Sequence, residues 1–210
     1  MPHSIFQCYR HAPQPRRGSA IATKTDPVYF NRFIALDFET ADYGRDSACA
    51  IALVLVDKCK IVDTFTSLIR PPRSNFQFTW LHGISWDDVK DKPTFGELWP
   101  NVQPLFDGVE FIAAHNAAFD RGVLAAGLES QSIAASIPDR YLCTMKLSRI
   151  LWDIYPTKLS DVCYRFSIPL EHHQAESDAT ACAKIVLRAD GTGLPKRAFL
   201  PPYQQKKKKR

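Results

Sequence analysis

Acidic residues interrupt apolar runs at three separated places in this chain, and a histidine sits close to the last of them. The first place is Phe33-Ile34-Ala35-Leu36-Asp37-Phe38-Glu39-Thr40. It reads as a buried strand ending in two carboxylates. Side chains alternate along a strand, so Asp37 and Glu39 share a face. Two ionised carboxylates side by side repel, and a divalent cation is the simplest compensation. The second place is His115-Asn116-Ala117-Ala118-Phe119-Asp120, where Asp120 falls in the opening turns of a helix among apolar neighbours. The third is Asp178, inside the small-residue stretch Ala175 to Ala183, with His173 five residues earlier.

Each acid alone has an ordinary explanation. An acid near a helix N-terminus is favoured by the dipole. Together, three elements that can converge on one sheet edge point to phosphodiester hydrolysis with two divalent ions, held about 4 Å apart. Mg²⁺ favours carboxylate oxygens. Asp37, at the strand end, is then the natural bridging ligand, with Glu39, Asp120 and Asp178 completing the shells. A histidine that titrates near neutrality can take the proton of the attacking water. His173 suits that role, and the adjacent His172 is the alternative.

The elements that must position these groups follow in order. A first strand is predicted over 32–39, then a polar loop from Thr40 to Ser47. Ala48–Val56 and Lys60–Ile69 read as a hairpin turning at Asp57-Lys58-Cys59. Ser85 is a plausible N-cap for a short helix. A second helix opens at Pro93-Thr94, carries Phe95, Leu98, Trp99, Val102, Leu105 and Phe106 at helical spacing, and ends at Gly108. Phe111–His115 reads as a fourth strand. A helix over 117–127 follows, capped by Asn116 and ended by Gly127. Further helices are predicted over 141–152, 158–166 and 175–189, with an extended stretch at Ile168-Pro169-Leu170. The order suggests a single α/β sandwich domain over 29–189. Residues 1–28 are expected to be a disordered basic extension and 190–210 a basic tail.

Hydrophobic residues make up 45% and charged residues 23% of the 210, as in soluble globular domains. The formal charge of +5 is concentrated at the ends. Arg10, Arg16, Arg17, Lys24 and the run Lys206–Arg210 supply nine cations with no acid among residues 1–24. Removing those nine leaves 18 basic against 22 acidic residues, an acidic body suited to a carboxylate metal site. Basic ends suit a polyanion. The six cysteines form no C-x-x-C pair, and most lie in apolar surroundings, so they read as buried thiols in a reducing, cytoplasmic compartment. No apolar run approaches the roughly 20 residues needed to span a membrane.

The motifs Asp37-Phe38-Glu39-Thr40, His115-Asn116-x-x-Phe119-Asp120 and His173-x-x-x-x-Asp178-Ala179 together resemble the DEDDh family of 3′–5′ exonucleases, the group of RNase T and the epsilon subunit of bacterial DNA polymerase III. The match runs over about residues 32–189. In the loop Ala41–Ala48 the chain most closely resembles small bacterial stand-alone exonucleases akin to the exonuclease domain of the Gram-positive replicative polymerase. The resemblance implies an RNase H-like fold, a five-stranded mixed sheet flanked by helices, with a fifth strand near 138–142 or 168–170. It implies two Mg²⁺ (or Mn²⁺) ions held by Asp37, Glu39, Asp120 and Asp178, with His173 as general base. Phe38, Thr40 and Ala41 would hold the terminal nucleotide, with His82, His115, Asn116 and Phe119 nearby. The implied partner is a nucleic-acid 3′ end, single-stranded DNA foremost, with loose association with replication or repair machinery. The alternatives are an exoribonuclease trimming RNA 3′ ends and a non-catalytic nucleic-acid-binding module.

Overall fold

The apolar runs pair into one sheet because each must bury its backbone polar groups as well as its side chains. The computed structural model describes residues 30–189 and 192–202. Its strands are β1 (Arg32–Thr40), β2 (Ala48–Asp57), β3 (Lys60–Leu68), β4 (Ile112–Ala114) and β5 (Tyr141–Cys143), in the spatial order β3-β2-β1-β4-β5. The first three form an antiparallel meander, while β4 and β5 run parallel to β1. Lys58 and Cys59 turn the hairpin with positive φ at both residues, which matches the right-handed twist of the flanking strands.

Helices cover both faces. Phe33 and Ala35 of β1 pack with Leu147, Leu159 and Val162 from α5 (Thr144–Trp152) and α6 (Leu159–Phe166), and with Ala179, Cys182 and Ile185 of α7 (Ala175–Arg188). Ile34, Leu36 and Phe38 face the other way, onto Phe95, Leu98 and Trp99 and onto Val123 and Leu124. These belong to α3 (Phe95–Val102) and α4 (Ala118–Ser130). The alternation places Asp37 and Glu39 on the α7 side, because they continue the row of Phe33 and Ala35. The buried face of α7 is largely alanine, which lets the helix lie close to β1 and β2. Two single-turn helices, α1 (Thr79–His82) and α2 (Trp86–Val89), bridge β3 to α3. Among the described residues, no helix is long and apolar enough to cross a membrane. Cys49, Cys143, Cys163 and Cys182 are buried thiols.

Several expected boundaries differ. Residues 141–143 are a strand rather than the start of a helix, so the fifth strand lies at the first of its two expected places. Three residues carry no periodicity to read. Asn116 does not cap α4 with its side chain. It adopts φ 65°, and its carbonyl accepts from the Phe119 N–H at 2.8 Å. Chain expected to be tail packs on the fold: Leu194 and Ala198 are fully buried, Phe199 bridges to Leu142, and the Leu200 N–H donates to the Tyr141 carbonyl. The expected N-terminal extension and the Lys206–Arg210 run lie outside the described residues.

Gly127 does not end α4 either. The helix runs through it to Ser130, because Gly127 is where the Phe95 ring presses on the helix. A Cβ added there would sit 2.7–2.9 Å from three Phe95 ring atoms. Alanine would gain about 1 kcal/mol of helix propensity but overpack a buried ring, which costs about 1–3 kcal/mol. Gly127→Ala is therefore expected to lower Tm by about 2–4 °C per net kcal/mol lost. A higher Tm in thermal denaturation would contradict this packing.

Candidate active site

Ligand sites in sheets with parallel strands lie beyond the strands' carboxyl ends, and here β1 and β4 end side by side. A cleft of about 540 Å³ opens at that point. Asp37 and Glu39 come from the end of β1, His115, Asn116, Phe119 and Asp120 from the turn after β4 and the start of α4, and His172, His173 and Asp178 from the entry to α7. The β1–β2 register slips between Glu39 and Thr40, and such a bulge re-aims a strand end.

Single ligand oxygens of Asp37, Glu39 and Asp178 lie within 4.8 Å of one another. Asp120 lines the same cleft, outside that cluster. Glu39, Asp120 and Asp178 are buried, with 7%, 2% and 4% of their surface exposed, so their repulsion is poorly screened. Burial, then the charges of Asp120, Asp178 and Glu39, holds the Asp37 carboxyl well above its ordinary range. Burial, with Asp178 and Asp120, pushes Glu39 up to about 8. Burial pushes Asp120 up to about 7, against the pull of backbone N–H groups and of Arg45. Asp178 is also raised, again chiefly by burial.

The donor set fits a hard divalent cation. All the clustered atoms are carboxylate oxygens, and Asp178 Oδ1 is buried with no hydrogen-bond partner. A buried acceptor left unpaired is costly unless something else occupies it.

Both histidines before α7 reach the cleft. Their rings stack at 3.9 Å, and His172 Nδ1 lies 2.9 Å from Asp178 Oδ2. The His173 backbone N–H donates to the same oxygen at 3.3 Å. His173 sits at φ 68°, an uncommon conformation for a residue with a side chain. Burial lowers its pKa, as does His172 beside it. Both imidazoles thus face the acids, and it is the ring of His172 that touches Asp178.

The residues expected at the terminal nucleotide divide. Asn116 and Phe119 are exposed on the cleft wall. Thr40 lines the wall, and Phe38 reaches it only along its backbone side, since its ring packs toward Phe95 in the core. His82 and His115 line the cleft with both ring nitrogens engaged. The Ile84 N–H donates to His82 Nδ1, so Nε2–H donates to the Thr40 carbonyl at 3.1 Å. His115 bonds to Thr144 Oγ1 and to the Thr157 carbonyl, each at 2.9 Å. Burial lowers both pKa values, and both rings pin the cleft walls. Ala41 does not line the cleft. It is fully buried behind it, its N–H and carbonyl bonded to Ser47 and Gln77.

Sequence reasoning missed Tyr43, Arg45, Phe78 and Lys158, all on the wall. They sit in loops, where no periodicity reveals side-chain direction. Aromatic residues in the polar loop and just before α1 were the available signal. Tyr43 packs edge-on against Phe78 at 4.8 Å.

Known proteins resemble this chain in sequence and fold. Residues 34–186 match the RNase T exonuclease family. The chain is 33% identical over 162 residues to the PolC-type DNA polymerase III of Caldanaerobacter subterraneus, covering 74% of this chain and 11% of that protein. It is 33% identical over 146 residues to exodeoxyribonuclease 10 of Escherichia coli K12, covering 65% of this chain and 59% of the relative. The chain thus spans about a tenth and somewhat over half of these two relatives. Among solved structures, exonuclease X in complex with 5′-overhanging duplex DNA aligns with a TM-score of 0.59 at 27% identity, over 80% of this chain and 95% of that one. The nuclease domain of 3′hExo, a DEDDh family member bound to rAMP, aligns at 0.70 and 18% identity over 83% and 98%, a likeness of fold. Together with the five-stranded mixed sheet, the flanking helices and the clustered acids, the match over residues 34–186 shows that the chain belongs to the RNase T family of exonucleases.

Proposed function

We propose that the cleft hydrolyses the terminal phosphodiester bond at nucleic-acid 3′ ends and releases nucleoside monophosphates, with DNA as the preferred substrate. The carrying observation is the gathering of Asp37, Glu39 and Asp178 within 4.8 Å, with the unpartnered Oδ1 of Asp178 buried in the same cleft as Asp120. These four carboxylates would hold two Mg²⁺ (or Mn²⁺) ions. Such ions, when bound, supply charge neutralisation at the phosphate and acidify the attacking water. The remaining work belongs to the chain. Burial, with His172 beside it, lowers the His173 pKa and so favours the neutral imidazole, which can accept the water's proton. Asn116 offers an exposed amide, and Phe119, Tyr43 and Phe78 offer ring faces for the terminal bases. Stacking reads no sequence, which suits an enzyme that removes any terminal nucleotide. A cytoplasmic setting and loose association with replication or repair machinery belong to the same reading, and a polymerase among the relatives supports the replication part of it.

His173→Ala is expected to lower kcat by about 10²–10³-fold, and His172→Ala by less than about tenfold. Measuring kcat for both variants on one oligonucleotide decides between them. A His173→Ala enzyme that keeps near-full activity while His172→Ala loses it would reverse the assignment.

The preference for DNA rests on the deoxyribonuclease and polymerase relatives, since discrimination lies in contacts to the 2′-OH. Single-turnover rates on DNA and RNA strands of one sequence test it. Faster DNA hydrolysis is expected, and faster RNA hydrolysis would make the enzyme a trimmer of RNA 3′ ends.

A further inference from the structure

We propose that Arg45 and Lys158 grip the phosphates of the substrate strand on the 5′ side of the scissile bond, each from its own loop at the rim of the cleft. This rests on the nuclease reading of the cleft and adds to it the part of the strand beyond the terminal nucleotide.

An acid-lined cleft repels a polyanion, so affinity for one must come from cations at its rim. Arg45, in the β1–β2 loop, and Lys158, just before α6, are exposed residues that line the cleft. Among the described residues neither forms an ion pair; the pairs present use Arg32, Arg70, Arg73, Lys90 and His172. The acids flanking Arg45 are already committed elsewhere. Asp42 and Asp46 both bond to Arg73, through four contacts of 2.6–3.1 Å. That double fork ties both acids to a cation outside the loop, which cancels one of their two charges and leaves the Arg45 guanidinium unpaired with either.

Arg45 is also held in place. Its Nη1 donates to the Phe119 carbonyl at 2.9 Å, and its guanidinium lies 5.6 Å from the Phe119 ring centroid. Gly122 makes room for it, since a Cβ there would collide with Nη1. This seating removes in advance part of the rotamer entropy that a free arginine would lose on binding. Donors remain for a phosphate, which a guanidinium binds in a fork. In the loop before α6, the Thr157 carbonyl anchors His115, and the Lys158 backbone N–H is bonded to Asp161. The acids at the floor would hold the ions that face the scissile phosphate, which leaves the rim cations for the phosphates that follow it.

The test is kcat/KM in Mg²⁺ between 50 and 200 mM salt, on a thymidylate strand of about twelve nucleotides and on the dinucleotide, which has no phosphodiester beyond the scissile one. Arg45→Ala and Lys158→Ala are each expected to flatten the log–log salt slope on the long strand by about 0.7. Each should act mainly through KM, with a several-fold larger loss on the long strand than on the dinucleotide. Arg45→Lys, which keeps the charge, should retain most of the slope. Unchanged slopes, or equal losses on both substrates, would overturn the proposal. Fluorescence anisotropy of the labelled long strand, in an Asp178→Ala background, reads the same slopes without turnover. A failure of hydrolysis would therefore count against the nuclease reading alone, and unchanged binding slopes against the grip.

Discussion

Asp37→Asn is expected to lower kcat by about 10³-fold or more while making the metal-free protein more stable than the parent at pH 8. The two effects share a cause. Asp37 ends β1 on the face covered by α7, where burial and the charges of Asp120, Asp178 and Glu39 all oppose its ionisation. An amide of the same shape removes that repulsion. It also removes the anionic oxygen that would share the ions, and losing about 4 kcal/mol of transition-state stabilisation is a factor of about 10³. The gain in stability comes from removing a charge whose ionisation the fold opposes. It is read as a rise in Tm of about 2–4 °C per kcal/mol in EDTA. A fall in Tm would mean that the carboxylate holds the fold together and that the site was misread.

Divalent metal should stabilise the protein strongly at pH 8 and weakly at pH 5. Glu39 and Asp120, raised to about 8 and about 7, keep protons in the folded state that the unfolded chain has already released. Where the folded state binds more protons, stability falls as pH rises. The penalty is absent below the ordinary carboxylate pKa, about 4. It grows through the window up to about 8 and is complete above it. His82, His115 and His173 act in the opposite direction. Their pKa values are lowered, so stability is gained as pH rises toward their unfolded value. The clean readout is therefore the difference in Tm with and without metal at each pH. At about 100 times Kd, Mg²⁺ or Mn²⁺ contributes about 2.7 kcal/mol, or about 5–10 °C. A metal-induced shift that is absent at pH 8, or larger at pH 5, would contradict a cation site built from these carboxylates.

The parts of the site that were legible in the sequence follow from periodicity. Asp37 and Glu39 share a face because they continue the row of Phe33 and Ala35, and Asp178 faces inward because it shares the helix face of Cys182 and Ile185. The five-strand order needed the resemblance, since β4 and β5 have only three residues each. What stayed hidden depends on contacts between distant residues. Gly127 reads as a helix terminator until Phe95 is seen against it. Ala41 reads as a contact to the nucleotide until its backbone is seen tied behind the cleft wall. Arg73 lies 27 residues beyond Asp46, and nothing local announces that it bonds both Asp42 and Asp46 and leaves Arg45 facing the cleft without either. Loop side chains have no period, so the rim of the cleft emerged only with the structure.

The most direct measurement is a digestion time course on a 5′-labelled single strand in Mg²⁺, Mn²⁺ or EDTA, with Asp178→Ala as control. The expected result is a ladder shortening one nucleotide at a time from the 3′ end, present with either metal and absent in EDTA and in the variant. A ladder that persists in EDTA or in Asp178→Ala, or a strand that is bound but never shortened, would contradict metal-dependent exonucleolysis at this cleft.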